Sequence, residues 1–129
     1  MKNSKIRPTD AELEILSVLW THGPCTVRQV HEYLPDDPPR GYTTVLKLMQ
    51  IMGDKGLVKR DEKQRAHIYR ANCSREDTQE ALLSNLRDKA FNGSAGKLVM
   101  QALSSNQASP DELKEIRRLL EEMEKKQND

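Results

Sequence analysis

The sequence predicts a mostly α-helical protein with one small β-hairpin, arranged as three helices, the hairpin and three further helices. Two kinds of observation predict this order. Helix-start signals precede runs in which apolar residues recur three and four positions apart. Between the two groups of helices lie two short runs of β-forming residues, which are separated by a polar stretch.

The first two helices are predicted from two capping boxes. Thr9 is followed three residues later by Glu12, a spacing at which hydroxyl and carboxylate each accept a hydrogen bond from a free backbone amide. Thr26 and Gln29 repeat this spacing, and Gly23-Pro24 between them is typical of a helix end. The expected apolar faces carry Leu13, Ile15, Leu16, Leu19 and Trp20 in the first helix, and Val27, Val30 and Leu34 in the second.

A third helix is predicted from about Thr43 to Lys55, ending at Gly56. The proline-rich segment 35–39 before it can form neither a helix nor a central strand, so we expect a loop there. The third helix is amphipathic. Its apolar face carries Val45, Leu48, Met49 and Met52, and its polar face carries Thr43, Thr44, Lys47, Gln50 and Asp54.

The hairpin is predicted from runs 57–61 and 66–71 around the polar tip 62–65. Three helices followed by a hairpin are the element order of a winged helix-turn-helix domain, and we assign residues 1–73 to it. In such a domain the third helix enters the DNA major groove.

Residues 74–129 are predicted to form three helices that mediate homodimerisation. The helices begin near Ser74, Lys97 and Ser109, and each is too short to bury much surface alone. Their apolar stripes therefore need a partner, and a second copy of the same segment is the simplest one. The candidate dimerisation residues are Leu82, Leu86, Phe91, Leu98, Leu103, Ile116, Leu119 and Leu120.

The charge distribution favours double-stranded DNA as a partner. The net charge of the 129 residues is only +1, but residues 40–70 hold eight basic and three acidic residues, a local charge of +5. Lys47 suits a guanine edge, and the hairpin cations suit phosphates. The candidate DNA-binding residues are Tyr42, Thr43, Thr44, Lys47, Gln50, Lys59, Arg60, Lys63, Arg65 and Arg70.

Other classes of protein find little support. No nucleophile, phosphate-loop or dinucleotide signature is present, so we expect no enzymatic activity, no cofactor and no metal. Cys25 precedes a helix start, which can lower a thiol pKa, but a small buried residue is the simpler interpretation. Because no segment is long and apolar and Met1–Asp10 has no signal-peptide core, we expect a cytoplasmic protein without membrane insertion.

Four segments resemble the penicillinase-repressor family of the BlaI, MecI and CopY type: 9–16, 42–45, 54–58 and 65–71. The resemblance implies a homodimeric winged-helix repressor on a pseudo-palindromic operator of β-lactam-resistance or related genes. It also implies base contacts from Thr43, Thr44 and Lys47. Copper-responsive members carry clustered C-terminal cysteines, whereas this chain has no cysteine after Cys73.

The resemblance also suggests how such a repressor is switched off. The β-lactam-responsive members are cut in the C-terminal domain after a membrane sensor-protease detects the drug. The matching stretch is 98–103, where Gln101-Ala102 replaces the family's Asn-Phe pair. We retain Gln101 and Ala102 as a candidate cleavage position and a sensor-protease as a candidate partner, although the changed pair argues against the same cleavage rule.

Two alternatives from other classes stay open. A winged-helix domain can act as a protein-interaction adaptor without a DNA target, since a fold does not dictate a function. A ligand-sensing regulator with a pocket between its domains is the other alternative, although no sequence motif favours it.

Overall fold

A computed structural model describes residues 7–128 of the chain. The helices and strands, in chain order, are α1 (Asp10–His22), β1 (Cys25–Thr26), α2 (Val27–Tyr33), α3 (Tyr42–Lys55), β2 (Val58–Asp61), β3 (Ile68–Ala71), α4 (Arg75–Ala90), α5 (Ala95–Ser105) and α6 (Pro110–Asn128). The chain divides into two compact units, one ending at Ser84 and the other beginning at Asn85. The functional division into residues 1–73 and 74–129 remains a prediction.

Both predicted capping boxes are formed. The Thr9 hydroxyl accepts from the Glu12 amide at 3.2 Å, and the Thr9 amide donates to the Glu12 carboxylate at 2.9 Å. Thr26 and Gln29 make the same reciprocal pair at the start of α2. Gly23 ends α1 with a φ of +82°, a value that favours glycine because a Cβ would be strained there. The sequence-based boundaries of these helices are confirmed.

Helix α3 begins one residue earlier than predicted, at Tyr42, and ends at Gly56 in the left-handed conformation. Its buried side chains are Val45, Met49 and Met52, and Leu48 is half-buried. The predicted apolar face therefore packs into the core. The segment 35–41 before it contains no helix or strand before Tyr42, as expected from its prolines.

The sheet has three antiparallel strands in the order β1-β3-β2, one more than the sequence predicted. The hairpin is formed by β2 and β3, in which Lys59 lies opposite Arg70 and Arg60 opposite Tyr69. The additional strand, β1, has two residues and pairs Cys25 with Tyr69. A two-residue strand has no periodicity, so the sequence could not reveal it.

The core lies between α1, α2, α3 and the sheet. Tyr69 is the one buried aromatic side chain in residues 7–128; the other buried apolar side chains are Ile15, Leu16, Val18, Leu19, Cys25, Val27, Val30, Leu34, Val45, Met49, Met52, Leu57 and Val58. The core of the described residues is thus mostly aliphatic. Burial of this set supplies the main driving force for folding of the first unit.

The start of α4 is fastened to α1 by polar contacts. The Trp20 indole donates to the Cys73 carbonyl at 2.9 Å, and the Arg75 guanidinium lies 5.7 Å from the centre of the Trp20 ring. Arg75 also donates to the Thr21 hydroxyl at 3.1 Å. The Ser74 hydroxyl caps α4 by accepting from the Asp77 amide at 3.0 Å, so the predicted helix start is confirmed.

The second unit contains the end of α4 together with α5 and α6. Ser94 caps α5, and Ser109 forms a capping box with Glu112 at the start of α6. The predicted fold class, a mostly helical chain with a small hairpin and three following helices, is confirmed. Among residues 7–128, no helix is both long enough and apolar enough to cross a bilayer. The expectation for Met1–Asp10 depends partly on residues 1–6, which lie outside the described residues.

Candidate nucleic-acid interface

The polar face of α3 is open to solvent along its length. Thr43, Thr44, Lys47 and Gln50 are all exposed, while the opposite face of the same helix is buried in the core. This division follows from the 3.6-residue helical period, which separates the two sets of side chains. Hydroxyl, ammonium and amide groups are thus presented together on a rigid element, which suits hydrogen bonding to base edges.

The first turn of α3 contacts α2 through an aromatic side chain. Tyr42 is 43% exposed and meets the His31 ring edge to face, with centroids 6.2 Å apart. The Arg28 guanidinium of α2 lies 5.9 Å from the centre of the Tyr42 ring. Tyr42 therefore lies at the surface between α2 and the start of α3, beside a cation that sequence reasoning did not select.

The last residue of α3 is tied to the first turn of α1. Lys55 donates to both carboxylate oxygens of Glu12, at 3.1 and 2.9 Å, across 43 positions of sequence. The Glu12 side chain is only 2% exposed, and the Lys55 side chain is 38% exposed. Burial alone raises the pKa of Glu12, but the hydrogen bonds from Lys55 and from the Thr9 amide outweigh burial, so the pKa lies below its ordinary value.

The hairpin places two cations directly opposite each other. Lys59 and Arg70 are cross-strand partners, so their side chains share one face of the sheet. Like charges in this position are unfavourable for stability, and anions such as DNA phosphates relieve the repulsion. The described residues provide no ion-pair partner for Lys59 or Arg70.

The remaining hairpin cations differ in whether they already form an ion pair. Arg60 pairs with Glu62, its Nε donating to the carboxylate at 2.8 Å, so this guanidinium is already engaged. Lys63 and Arg65 are exposed near the tip. Since neither side chain forms an ion pair within the described part of the chain, they are better placed than Arg60 to meet phosphates.

An open groove separates α3 from the hairpin. Its α3 wall includes Gln50 and Asp54, and its hairpin wall includes Lys59, Lys63 and Arg70. Half of the predicted DNA-binding residues (Gln50, Lys59, Arg60, Lys63 and Arg70) therefore line one feature of the first unit. The other five, Tyr42, Thr43, Thr44, Lys47 and Arg65, do not line this groove. Contact of any of the ten residues with DNA stays a prediction.

The candidate dimerisation residues lie on α4, α5 and α6 or, in the case of Phe91, directly after α4, and none of them is buried. No residue of α5 or α6 that the structure describes is buried. Leu82, Phe91, Leu98 and Ile116 are half-buried, and Leu86, Leu103, Leu119 and Leu120 are exposed. Sequence reasoning left other exposed apolar side chains out of the candidate set: Leu83, Val99, Met100, Leu113 and Met123.

The candidate cleavage position lies within a helix. Gln101 and Ala102 are exposed but occupy the middle of α5, and the Gln101 amide donates to the Ser105 hydroxyl at 2.6 Å. A protease binds its substrate as an extended strand, so cleavage here requires local unwinding. Neither the sensor-protease nor the cleavage is tested by this geometry.

The preferred interpretation of Cys25, a small buried residue, is confirmed. Cys25 is 3% exposed in β1, and burial raises its pKa. Desolvation disfavours the thiolate, which leaves a small buried apolar residue as the better interpretation. Within residues 7–128, no group of three or more His, Cys, Asp and Glu side chains is arranged to hold a metal ion.

Sequence reasoning missed two arginines at this interface. Arg28 follows the first residue of α2 and is exposed, and Arg40 lies in the loop just before α3. The Arg40 guanidinium forms an ion pair with Glu14 of α1, and its carbonyl oxygen lies 2.7 Å from Nε2 of His31. The nearness of Arg28 to a capping box was the available signal, because a helix start faces the DNA backbone in this motif.

Comparison with known proteins identifies the family. The penicillinase repressor family model matches residues 8–122. The chain is 25% identical to the penicillinase repressor of Bacillus licheniformis, covering 88% of this chain and 89% of that protein. It is 30% identical to the transcriptional regulator BlaI of Mycobacterium tuberculosis, with 89% and 83% covered. It is 21% identical to the methicillin resistance regulatory protein MecI of Staphylococcus aureus, with 93% and 98% covered.

A solved structure supports the same fold. A MarR family protein from Bacillus stearothermophilus superposes with a TM-score of 0.51 at 17% identity, covering 99% of this chain and 81% of that one. At this identity the likeness shows the fold alone. The family resemblance seen in the four sequence segments is confirmed, and the chain belongs to the penicillinase repressor family.

Proposed function

We propose that this protein is a transcriptional repressor that binds a pseudo-palindromic operator as a homodimer. The observation that carries the proposal is the groove between α3 and the hairpin. Its α3 side presents Gln50 and Asp54, and its hairpin side presents the opposed cations Lys59 and Arg70. A protein that did not meet a polyanion would gain stability by replacing one of these two cations.

Thr43, Thr44 and Lys47 are the proposed base-contacting residues. They lie in the first half of α3, the part of a recognition helix that reaches base edges. A threonine methyl can contact thymine and its hydroxyl can hydrogen-bond, while Lys47 can donate to guanine O6 and N7. The exposed cations of the hairpin would bind phosphates, which adds affinity and sets position without specifying sequence.

Homodimerisation is supported by the second unit. Leu113, Ile116, Leu120 and Met123 form one stripe along α6, and none of them is buried. Contiguous exposed apolar surface of this kind marks an interaction site, and a second copy provides a self-complementary partner. A two-fold dimer would carry two copies of α3 to successive major grooves, about 34–36 Å apart.

The genes that this protein controls are proposed from its relatives. Several are named as repressors of penicillinase or regulators of methicillin resistance. We propose β-lactam-resistance or related genes as its targets, with DNA upstream of its own gene as the first operator to test.

The test of DNA binding is a fluorescence-anisotropy titration of the full chain against that upstream DNA and against a scrambled duplex, at two salt concentrations. We expect strong preference for the upstream DNA, and an affinity that falls steeply with salt because bound counterions are released. In parallel, a pool of random duplexes selected on the protein would reveal any preferred sequence elsewhere. Equal weak binding to all duplexes, with no sequence enriched, would contradict the proposal and favour the adaptor alternative.

Two variants divide the roles of helix and wing. Lys47→Ala should weaken binding to the preferred sequence by about 1–3 kcal/mol and affect scrambled DNA little. Arg65→Ala should weaken binding to both duplexes by similar factors and reduce the salt slope by about 1. If both variants lost specific and non-specific binding equally, the division of roles would be wrong.

The dimer is tested by sedimentation of the full chain. Leu120→Glu places a charge in the middle of the α6 stripe and should shift the molecule towards the monomer. Lys114→Glu, at an exposed position on the same helix, is the matched control and should not. A Leu120→Glu protein that kept the wild-type mass in solution would contradict the proposed interface.

A further inference from the structure

Arg40, two residues before α3, is held in place by two independent contacts. Its guanidinium pairs with Glu14 of α1, and its side chain is only 18% exposed. Its backbone carbonyl lies 2.7 Å from Nε2 of His31 in α2, which donates the hydrogen bond. One residue of the loop is thus fastened at its side chain and at its main chain, to two different helices.

The start of α3 has little of its own to fix its position. The N-cap residue is Gly41, which makes no side-chain hydrogen bond to the helix, in contrast to Thr9 and Thr26 at the starts of α1 and α2. Glycine also leaves the backbone free to rotate at this point. The orientation of the first turn, where Thr43 and Thr44 lie, therefore depends on contacts outside α3.

The same histidine reaches the first residue of α3. The His31 ring packs edge to face on Tyr42, in addition to its hydrogen bond with the Arg40 carbonyl. His31 therefore contacts the chain on both sides of the uncapped Gly41. A hydrogen bond holds one side and an aromatic contact the other, so a shift of the helix start has to disturb both.

We propose that Glu14 and His31 are positioning residues for DNA recognition, acting through Arg40 to set the start of the recognition helix. In this proposal Arg40 is a structural cation and not a phosphate ligand, because its charge is already paired with Glu14. The inference rests on the proposed DNA-binding function and assigns part of its sequence specificity to residues that do not touch DNA.

Electrostatics and positioning predict opposite results for one substitution. Glu14→Gln removes a negative charge from the DNA-binding unit, and charge alone would strengthen binding to every duplex. If the ion pair positions α3, the same substitution weakens binding to the preferred sequence. Glu32→Gln is the matched control, since Glu32 is exposed on α2 and has no ion-pair partner in the described part of the chain.

The experiment compares both variants with the wild type by anisotropy, using the preferred duplex from the random pool and a scrambled duplex. We expect Glu14→Gln to bind the preferred duplex roughly twofold to fivefold more weakly than Glu32→Gln does, the range for losing a partly exposed ion pair. Binding to the scrambled duplex should be equal in the two variants. Equal or tighter binding of Glu14→Gln to the preferred duplex would overturn the proposal.

Arg40 is tested by a double-mutant cycle and by its salt dependence. If the pair acts as a unit, Arg40→Gln and the double variant Glu14→Gln/Arg40→Gln should bind the preferred duplex as weakly as Glu14→Gln does. The slope of log affinity against log salt should match that of the wild type. A slope lower by about 1 in Arg40→Gln would show a phosphate contact instead and overturn the assignment.

His31 gives an independent variant should Glu14→Gln fold poorly. His31→Gln keeps a side-chain N–H donor, while His31→Leu removes it; we expect binding to the preferred duplex to be weaker for His31→Leu and largely restored for His31→Gln. If both variants bound the preferred duplex as tightly as the wild type, the proposed role of His31 would be overturned. Circular dichroism of each variant verifies its fold, and a wild type without any preferred duplex would refute the proposed function itself and not this inference.

Discussion

Replacing Lys55 by methionine would leave a buried carboxylate without its cation. Glu12 is 2% exposed, and Lys55 supplies two of the three hydrogen bonds that its carboxylate accepts. Methionine keeps an unbranched apolar stem that is one atom shorter than the lysine side chain, and it lacks the charged ammonium donor. The substitution therefore tests the ion pair between the first turn of α1 and the end of α3 with little change in packing.

The magnitude follows from what remains around Glu12. Breaking a buried ion pair by removing one partner costs about 3–5 kcal/mol when the remaining charge has no other partner. Here the Thr9 amide still donates at 2.9 Å, the α1 dipole favours an acid in its first turn, and the exposed side of Lys55 lets water approach. We therefore expect Lys55→Met to lower the free energy of unfolding by about 2 kcal/mol at neutral pH.

The destabilisation by Lys55→Met should depend on pH, because the pKa of Glu12 differs between the wild type and the variant. In the wild type the pKa of Glu12 lies below its ordinary value, so its contribution to stability is present at neutral pH and is lost as the pH falls through that lowered pKa. In Lys55→Met burial dominates and raises the pKa of Glu12. The protonated carboxyl is then tolerated in the folded state of the variant. The difference in stability from the wild type should therefore shrink as the pH falls from the raised pKa of Glu12 in the variant through the lowered pKa in the wild type.

Urea denaturation of the full chain, followed by circular dichroism at one protein concentration, measures these differences. Glu12→Gln is the control, because glutamine can retain the capping box while removing the buried charge. The double variant Glu12→Gln/Lys55→Met should be more stable at neutral pH than Lys55→Met alone. A double variant less stable than both single variants, or a destabilisation by Lys55→Met that is independent of pH, would refute the reasoning.

Three further predictions concern the hairpin, the glycines within and directly after α3, and helix α5. Arg70→Gln should weaken binding to all DNA, as measured by anisotropy. It should also raise the free energy of unfolding in urea by about 0.5 kcal/mol, because Lys59 then faces no like charge. A variant with both weaker DNA binding and a lower free energy of unfolding would contradict this. Gly53→Ala should raise the stability by about 0.5 kcal/mol, since nothing lies within 4 Å of the added Cβ, whereas Gly56→Ala should lower it by about 1 kcal/mol because of its φ of +84°. Thermal unfolding should therefore show Gly53→Ala to be more stable than the wild type and Gly56→Ala to be less stable. The reverse order of stabilities would contradict the prediction. Limited proteolysis with a protease of broad specificity should cut segment 106–109 before any bond inside α5, where helical hydrogen bonds must first open; mass spectrometry identifies the first cut, and one inside α5 would be the contrary result.

The residues and their spacing were enough to predict the helices and the hairpin of this protein, but not the strand β1. The capping boxes at Thr9 and Thr26, the glycine after α3 and the two β-forming runs around a polar tip are local signals, because each depends on residues close together in the sequence. The exposed face of α3 was predictable for the same reason, since helical periodicity alone separates it from the core.

Only the tertiary structure decided which distant groups meet. The two-residue strand β1 exists because β3, more than forty positions away, supplies its hydrogen bonds. Glu12 is buried against Lys55, and Arg40 is fastened by Glu14 and His31. An ion pair between residues far apart in sequence forms only when packing of the core brings their helices together. Which cations remain free to meet DNA is therefore a property of the folded chain, whereas the presence of those cations is a property of the sequence.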